Sequence, residues 1–118
     1  MNLFETGDFI LHSGKRTFWR INCEALSDED IETLAQLAAA QVGLFCRVEA
    51  VPTGGVRFAA ALSGYSRLGP VLIADDVLTT GASMEKQRGG RKNIIGVVIF
   101  ARGPCPDWVT PLFTCSII

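Results

Sequence analysis

The sequence predicts one α/β domain built on a mainly parallel sheet, and three observations lead there. Segments of strand character alternate with segments of helical periodicity. Several of the strands are apolar at every position, as strands covered by helices on both faces must be. A length of 118 residues leaves room for one hydrophobic core and little else. With 48% hydrophobic and 19% charged residues and a mean hydropathy of +0.30, the chain lies far from disordered composition. No repeat, low-complexity stretch or linker interrupts it. The whole of 1–118 is therefore expected to be a single domain, with an N-terminal segment at 1–26 and an α/β core at 27–118.

The elements follow in order. Asp8–His12 and Thr17–Ile21 read as two short strands joined by the turn Ser13-Gly14-Lys15-Arg16. Ser27 caps a helix whose first turn holds Asp28, Glu29 and Asp30, acids that favour a helix N-terminus. Ile31, Leu34, Ala35, Leu37 and Ala38 give that helix its apolar face, and Gly43 stops it. Cys46–Val51 is a strand, Pro52-Thr53-Gly54-Gly55 a turn, and Val56–Ser63 a helix of small residues. Pro70–Ala74 is a buried strand ending in Asp75 and Asp76, and a Thr/Gly-rich turn leads from it to a short helix at Ser83–Gln87. Gly89-Gly90 breaks that helix, Ile94–Phe100 is the clearest strand of the chain, and Leu112–Ile118 is expected to be one more.

Several function classes are excluded on composition. Eleven basic residues against twelve acidic ones give a formal charge of −1, which argues against an electrostatic nucleic-acid binder. No apolar run reaches the length of a membrane span, and the start, Met1-Asn2-Leu3-Phe4-Glu5, lacks the basic and apolar regions of a signal peptide. A cytoplasmic protein is expected, with Cys23, Cys46, Cys105 and Cys115 as reduced thiols, since they form no CxxC pair. His12 is the one histidine, which argues against a His-rich metal site. No Gly-x-Gly-x-x-Gly turn follows a strand, so a dinucleotide-binding oxidoreductase is not supported.

The informative segment runs from Val71 to Ser83. In an open α/β sheet, ligands bind beyond the carboxyl ends of the strands, where loops enter the next helix. Here a buried strand delivers Asp75 and Asp76 to that edge, and Thr79, Thr80, Gly81, Ala82 and Ser83 follow where a helix begins. Carboxylates accept hydrogen bonds from a diol, while hydroxyls and the N–H groups of a turn at a helix start suit a phosphate monoester. A sugar phosphate satisfies both. At a strand end, the two acids are expected to tolerate substitution with little loss of stability.

This ordered combination resembles the phosphoribosyl-pyrophosphate (PRPP) signature of type I phosphoribosyltransferases: apolar strand, two acids, two apolar residues, Thr-Thr-Gly-x-Ser. The resemblance implies that Asp75 and Asp76 are catalytic ligands of the ribose hydroxyls and that Thr79, Thr80, Gly81, Ala82 and Ser83 cradle the 5′-phosphate. Val51-Pro52-Thr53-Gly54-Gly55-Val56 resembles the family's pyrophosphate loop, which assigns Thr53, Gly54 and Gly55 to the diphosphate. Gly7–Arg16 resembles the orotate branch, where this segment builds a hood over the base, and Arg102 matches an arginine that contacts orotate; His12 and Arg102 are the base-binding candidates. The fold implied is that of the type I enzymes, with Mg²⁺ carried by PRPP rather than by protein ligands, and with homodimers as the family's usual assembly.

The sequence also departs from the pattern. Orotate enzymes place another strand and a long mobile lid, with a Lys/His-rich stretch, before the signature strand. Only Gly64–Pro70 stands there, and no Lys-x-His-Gly occurs. His12 replaces a usual lysine, and Arg20 and Ile21 stand where bacterial orotate enzymes carry two phenylalanines. Arg57 and Arg67 are the nearest candidates for replacement charge. Two functions follow: transfer of the phosphoribosyl group of PRPP to a nucleobase, orotate or a related pyrimidine as first choice, with release of pyrophosphate; or non-catalytic binding of PRPP or a nucleotide by a sensor or subunit.

Overall fold

The computed structural model describes residues 1–11 and 13–115. An antiparallel hairpin, β1 (Phe4–Ile10) and β2 (Arg16–Ile21), precedes a single helical turn at Cys23–Ala25. The core then runs α1 (Asp28–Val42), β3 (Arg47–Ala50), α2 (Val56–Ser63), β4 (Val71–Leu78), α3 (Ala82–Arg88), β5 (Ile94–Ala101) and β6 (Val109–Thr114). The four core strands form one sheet in the order β3-β4-β5-β6, and every neighbouring pair is parallel. The expected α/β fold with a separate N-terminal hairpin is therefore the observed one. Among the described residues no helix is long and apolar enough to cross a membrane.

Local chemistry sets the helix ends. Ser27 Oγ accepts from the Asp30 N–H at 3.0 Å while the Asp30 carboxylate accepts from the Ser27 N–H at 3.0 Å, a reciprocal capping box. Gly43 ends α1 at φ +80°, a conformation that a side chain disfavours. Two cores flank the sheet. Ile31, Leu34, Ala35 and Ala38 of α1 and Phe58 and Leu62 of α2 pack on Leu72, Ala74, Val97 and Ile99. On the other face Met84 of α3 packs on Ile73, Val98 and Val109. Gly96 lets that second layer close, since an added Cβ would lie 2.7 Å from the Met84 methyl and 2.9 Å from the Trp108 ring.

The hairpin docks at the carboxyl end of the sheet. Phe4 meets Phe100 edge-on at 6.1 Å between ring centroids, while the Asn22 N–H closes the base of the hairpin on the Leu3 carbonyl at 2.6 Å. Arg102 completes the attachment. Its guanidinium lies 3.7 Å from the Trp19 ring centroid and donates to the Trp19 carbonyl and the Thr17 hydroxyl, each at 3.2 Å.

Four expectations need correction. Strand β1 begins at Phe4 rather than Asp8, because Phe4, Glu5 and Thr6 pair with Ile21, Arg20 and Trp19 before a register shift at Gly7-Asp8. Strand β6 spans Val109–Thr114, so the expected last strand starts earlier, and 116–118 lie outside the described residues. Leu37 is 44% exposed, on the flank of α1 rather than in its core stripe. Strand β4 does not stop before the acids but carries Asp75 and Asp76 within it, paired with β5 as far as Leu78.

Ser27→Ala removes the capping acceptor and is expected to cost about 1 kcal/mol; Ser27→Asp is expected to retain most of the stability. Urea unfolding monitored by circular dichroism checks both.

Candidate active site

The ends of β4 and β5, the turn after β3 and the hairpin enclose one cavity of about 680 Å³. Asp75, Asp76, Thr79, Thr80, Gly81, Ala82 and Ser83 all line it, as do Thr53, Gly54 and Arg102. Residues from three separate stretches of sequence are thus brought together. Gly55 is the exception among the described candidates: it lies beneath the wall, where its N–H donates to the Val51 carbonyl at 3.0 Å. A Cβ there would come within 2.5 Å of the Ala74 carbonyl oxygen, so Gly55 allows close approach of the turn to β4. His12 lies outside the described residues.

The two acids occupy a break in the strand's alternation. Leu72 and Ala74 face the α1/α2 core and Ile73 the α3 core, but beyond the acids Val77 packs on the first and Leu78 on the second. The register with β5 is kept throughout, Asp75 opposite Val98 and Val77 opposite Phe100. Asp75 Oδ1 accepts from the Asp76 N–H at 2.8 Å, and Asp76 Oδ1 accepts from the Val77 N–H at 2.7 Å, so each carboxylate binds the next amide of its own strand. Asp76 then faces the turn after β3, and a Cβ on Gly54 would collide with its carboxylate. Asp75 is only 7% exposed. Burial, and next the neighbouring Asp76 carboxyl, push it up to about 8. Beside the pair, the buried Cys23 thiol is raised to about 12 by the same two influences, burial first.

Next along the chain, Thr79–Gly81 turns the backbone into α3. Gly81 takes φ +86°, the left-handed region that glycine enters without strain, and offers no side chain to cap the first turn of α3. The Thr80 hydroxyl accepts from the Ala82 N–H at 3.3 Å, which ties the turn to the helix. From the neighbouring strand, the Arg102 N–H donates to the Leu78 carbonyl at 2.8 Å and Gly103 passes so near the Thr79 carbonyl that no side chain would fit. This edge is held by backbone contacts on both sides.

The structure treats the candidate cations differently from the sequence reading. Arg57 donates to the Leu26 carbonyl at 2.8 Å and pairs with Asp28 at 3.1 Å, while Arg67 turns to the Ser66 carbonyl at 2.9 Å; neither lines the cavity. Arg102 is buried, its guanidinium committed to Trp19 and Thr17, and desolvation lowers its pKa. Among the described residues, the basic side chains on the wall are Arg20 and Arg102. Phe9 belongs to the segment expected to form the hood, and Arg20 to the position where the orotate enzymes carry a phenylalanine; their approach to each other depends on the hairpin register, which no local motif announces. Among the described residues no cluster of three or more His, Cys, Asp or Glu is placed to hold a metal ion.

No family model matches this chain, and no curated protein matches its sequence. The four-stranded parallel sheet with its three helices is that of the type I phosphoribosyltransferase fold. Solved structures bear this out. Orotate phosphoribosyltransferase from Aeropyrum pernix superposes with a TM-score of 0.71 at 22% identity, over 95% of this chain and 88% of that one. The orotate phosphoribosyltransferase of Francisella tularensis gives 0.61 at 16% identity, over 95% and 80%. That of Mycobacterium tuberculosis gives 0.63 at 11% identity, over 95% and 89%. The likeness is one of fold.

Burial of Asp75 makes its pH dependence testable. The unfolded chain loses this proton near the ordinary value of 3.8, while the folded chain keeps it to about 8. Its protonated form therefore contributes stability that is complete below about pH 4 and lost as pH rises toward 8. Asp75→Asn is expected to remove that slope and to raise the melting temperature relative to wild type at pH 8. This replaces the expectation of a strand-end acid with little effect on stability. Thermal melts of both proteins from pH 4 to 9 check it.

Proposed function

We propose that this chain binds PRPP and transfers its phosphoribosyl group to a nucleobase, releasing pyrophosphate. The observation that supports this most is the sharing of one cavity by the carboxyl pair, the Thr79–Ser83 turn and the Thr53-Gly54 turn. Each would meet a different part of the ligand. Asp75 and Asp76 accept from the ribose hydroxyls, Thr79–Ser83 surrounds the 5′-phosphate, and the Thr53-Gly54 backbone faces the diphosphate. The C1–O bond to the diphosphate breaks with its electron pair leaving on oxygen, and a base nitrogen forms the new bond to C1 and loses its proton. A carboxylate beside the ribose stabilises the positive charge that grows on the ring.

Mg²⁺ fits the acid pair as a companion of the diphosphate: Asp75 and Asp76 stand side by side on the cavity wall, and a cation bound there would favour the ionised form of Asp75 against the burial, and next the Asp76 carboxyl, that raise it. When bound, it supplies positive charge to the leaving group. The homodimer and the cytoplasmic setting belong to the same proposal; the four free thiols suit a reducing compartment.

A second reading, that of a PRPP or nucleotide binder without catalysis, is favoured by the cations. Positive groups aimed at the departing oxygens act chiefly in the transition state. Only Gly64–Pro70 separates α2 from β4, and the described wall has Arg20 and Arg102 on its hairpin side rather than a cation from that connection.

Two experiments address these readings. Isothermal calorimetry with ribose 5-phosphate is expected to show binding to wild type, about tenfold weaker for Thr80→Ala and weaker still for Gly81→Val, whose φ a β-branched residue resists. Equal affinities would remove the phosphate assignment. A pyrophosphate-release assay with PRPP, Mg²⁺ and a panel of bases is expected to give turnover far below the typical value of about 10 per second, unchanged in Arg57→Ala and Arg67→Ala. Ordinary turnover would place catalytic cations elsewhere, and no release with intact PRPP binding would select the second reading.

A further inference from the structure

We propose that Arg20 selects the base, presenting its terminal N–H groups to the acceptor oxygens of an oxo-substituted ring held at the hairpin wall of the cavity. This rests on the ribose-phosphate reading of the same site. The two guanidinium groups on that wall differ in what they have left to offer. Arg102 is buried, with Nη1 and Nη2 donating to Trp19 and Thr17. Arg20 is 48% exposed at its side chain, and among the described residues its one hydrogen bond runs from Nε to Glu5 Oε1 at 2.7 Å. Both of its terminal amino groups remain available to a ligand.

The hairpin orients that guanidinium. Glu5 and Arg20 are direct partners across β1 and β2, so the ion pair needs no reach. The Arg20 guanidinium carbon lies over the Phe9 ring, 4.6 Å from its centroid, a cation–π contact that holds the group at the wall. Gly7 makes this possible: a Cβ there would press within 2.9 Å of the Phe9 ring, which folds back over the glycine at the register shift. A cation held at Nε by Glu5 and set over the Phe9 ring keeps its Nη groups for a further acceptor. Guanidinium donors match carbonyl or carboxylate oxygens and meet the amino groups of adenine or cytosine donor to donor.

Calorimetry of wild type, Arg20→Ala and Arg20→Lys with ribose 5-phosphate, uridine 5′-monophosphate, orotidine 5′-monophosphate and adenosine 5′-monophosphate tests this. Wild type is expected to prefer the uridine and orotidine nucleotides to the adenosine one. Arg20→Ala is expected to bind ribose 5-phosphate normally and to lose that preference through about tenfold weaker binding of the oxo nucleotides. Arg20→Lys should recover part of it, more for the carboxylated base, because an ammonium keeps the charge but not the fork. An unchanged preference in Arg20→Ala, or none in wild type, overturns the assignment while leaving the ribose-phosphate reading intact. Failure of wild type to bind ribose 5-phosphate overturns both.

Discussion

Asp75 is a carboxyl group set in the protein interior beside a second carboxyl, and much of the surrounding structure accommodates it. Isolated, such a charge would be too costly to bury. Here the proton is retained to about pH 8, and the Asp76 amide satisfies one oxygen. Gly54 and Gly55 bring the turn after β3 against the pair, at distances that no side chain at either position would permit. The arrangement stores an unfavourable interaction at a sheet edge, where a ligand supplying hydroxyls or a cation would relieve it.

The same edge explains why the hairpin is attached where it is. Arg102 follows β5 directly, so its backbone bonds the end of β4 while its guanidinium reaches Trp19 and Thr17. One residue thus couples the strand that bears the acids to the wall that closes the cavity. Arg102 holds the hairpin while lining the cavity, and Arg20 on that hairpin keeps its terminal donors.

Much of this was legible in the sequence because it is local. Ser27 and Asp30 announced a capping box, Gly43 a helix stop, and Val56–Ser63 a helix whose bounds match those observed. Asp75, Asp76 and Thr79–Ser83 reach one cavity wall because strand, turn and helix are contiguous. What was not legible depends on contacts distant in sequence. The continuation of β4 through the acids comes from pairing with β5, and the loss of Arg57 and Arg67 as site cations comes from Asp28, Leu26 and Ser66 capturing them. The Arg20–Phe9–Glu5 group depends on a hairpin register shift that no residue pattern signals.

The most direct test of this account is a two-dimensional ¹⁵N amide spectrum of the protein titrated with ribose 5-phosphate. The predicted result is saturable movement of the Asp76, Val77 and Thr79–Ser83 amides, with those of α1 and the Glu49–Arg91 ion pair unmoved. Saturable shifts confined to another surface, or none at all, would contradict a sugar-phosphate site at the carboxyl edge of β4.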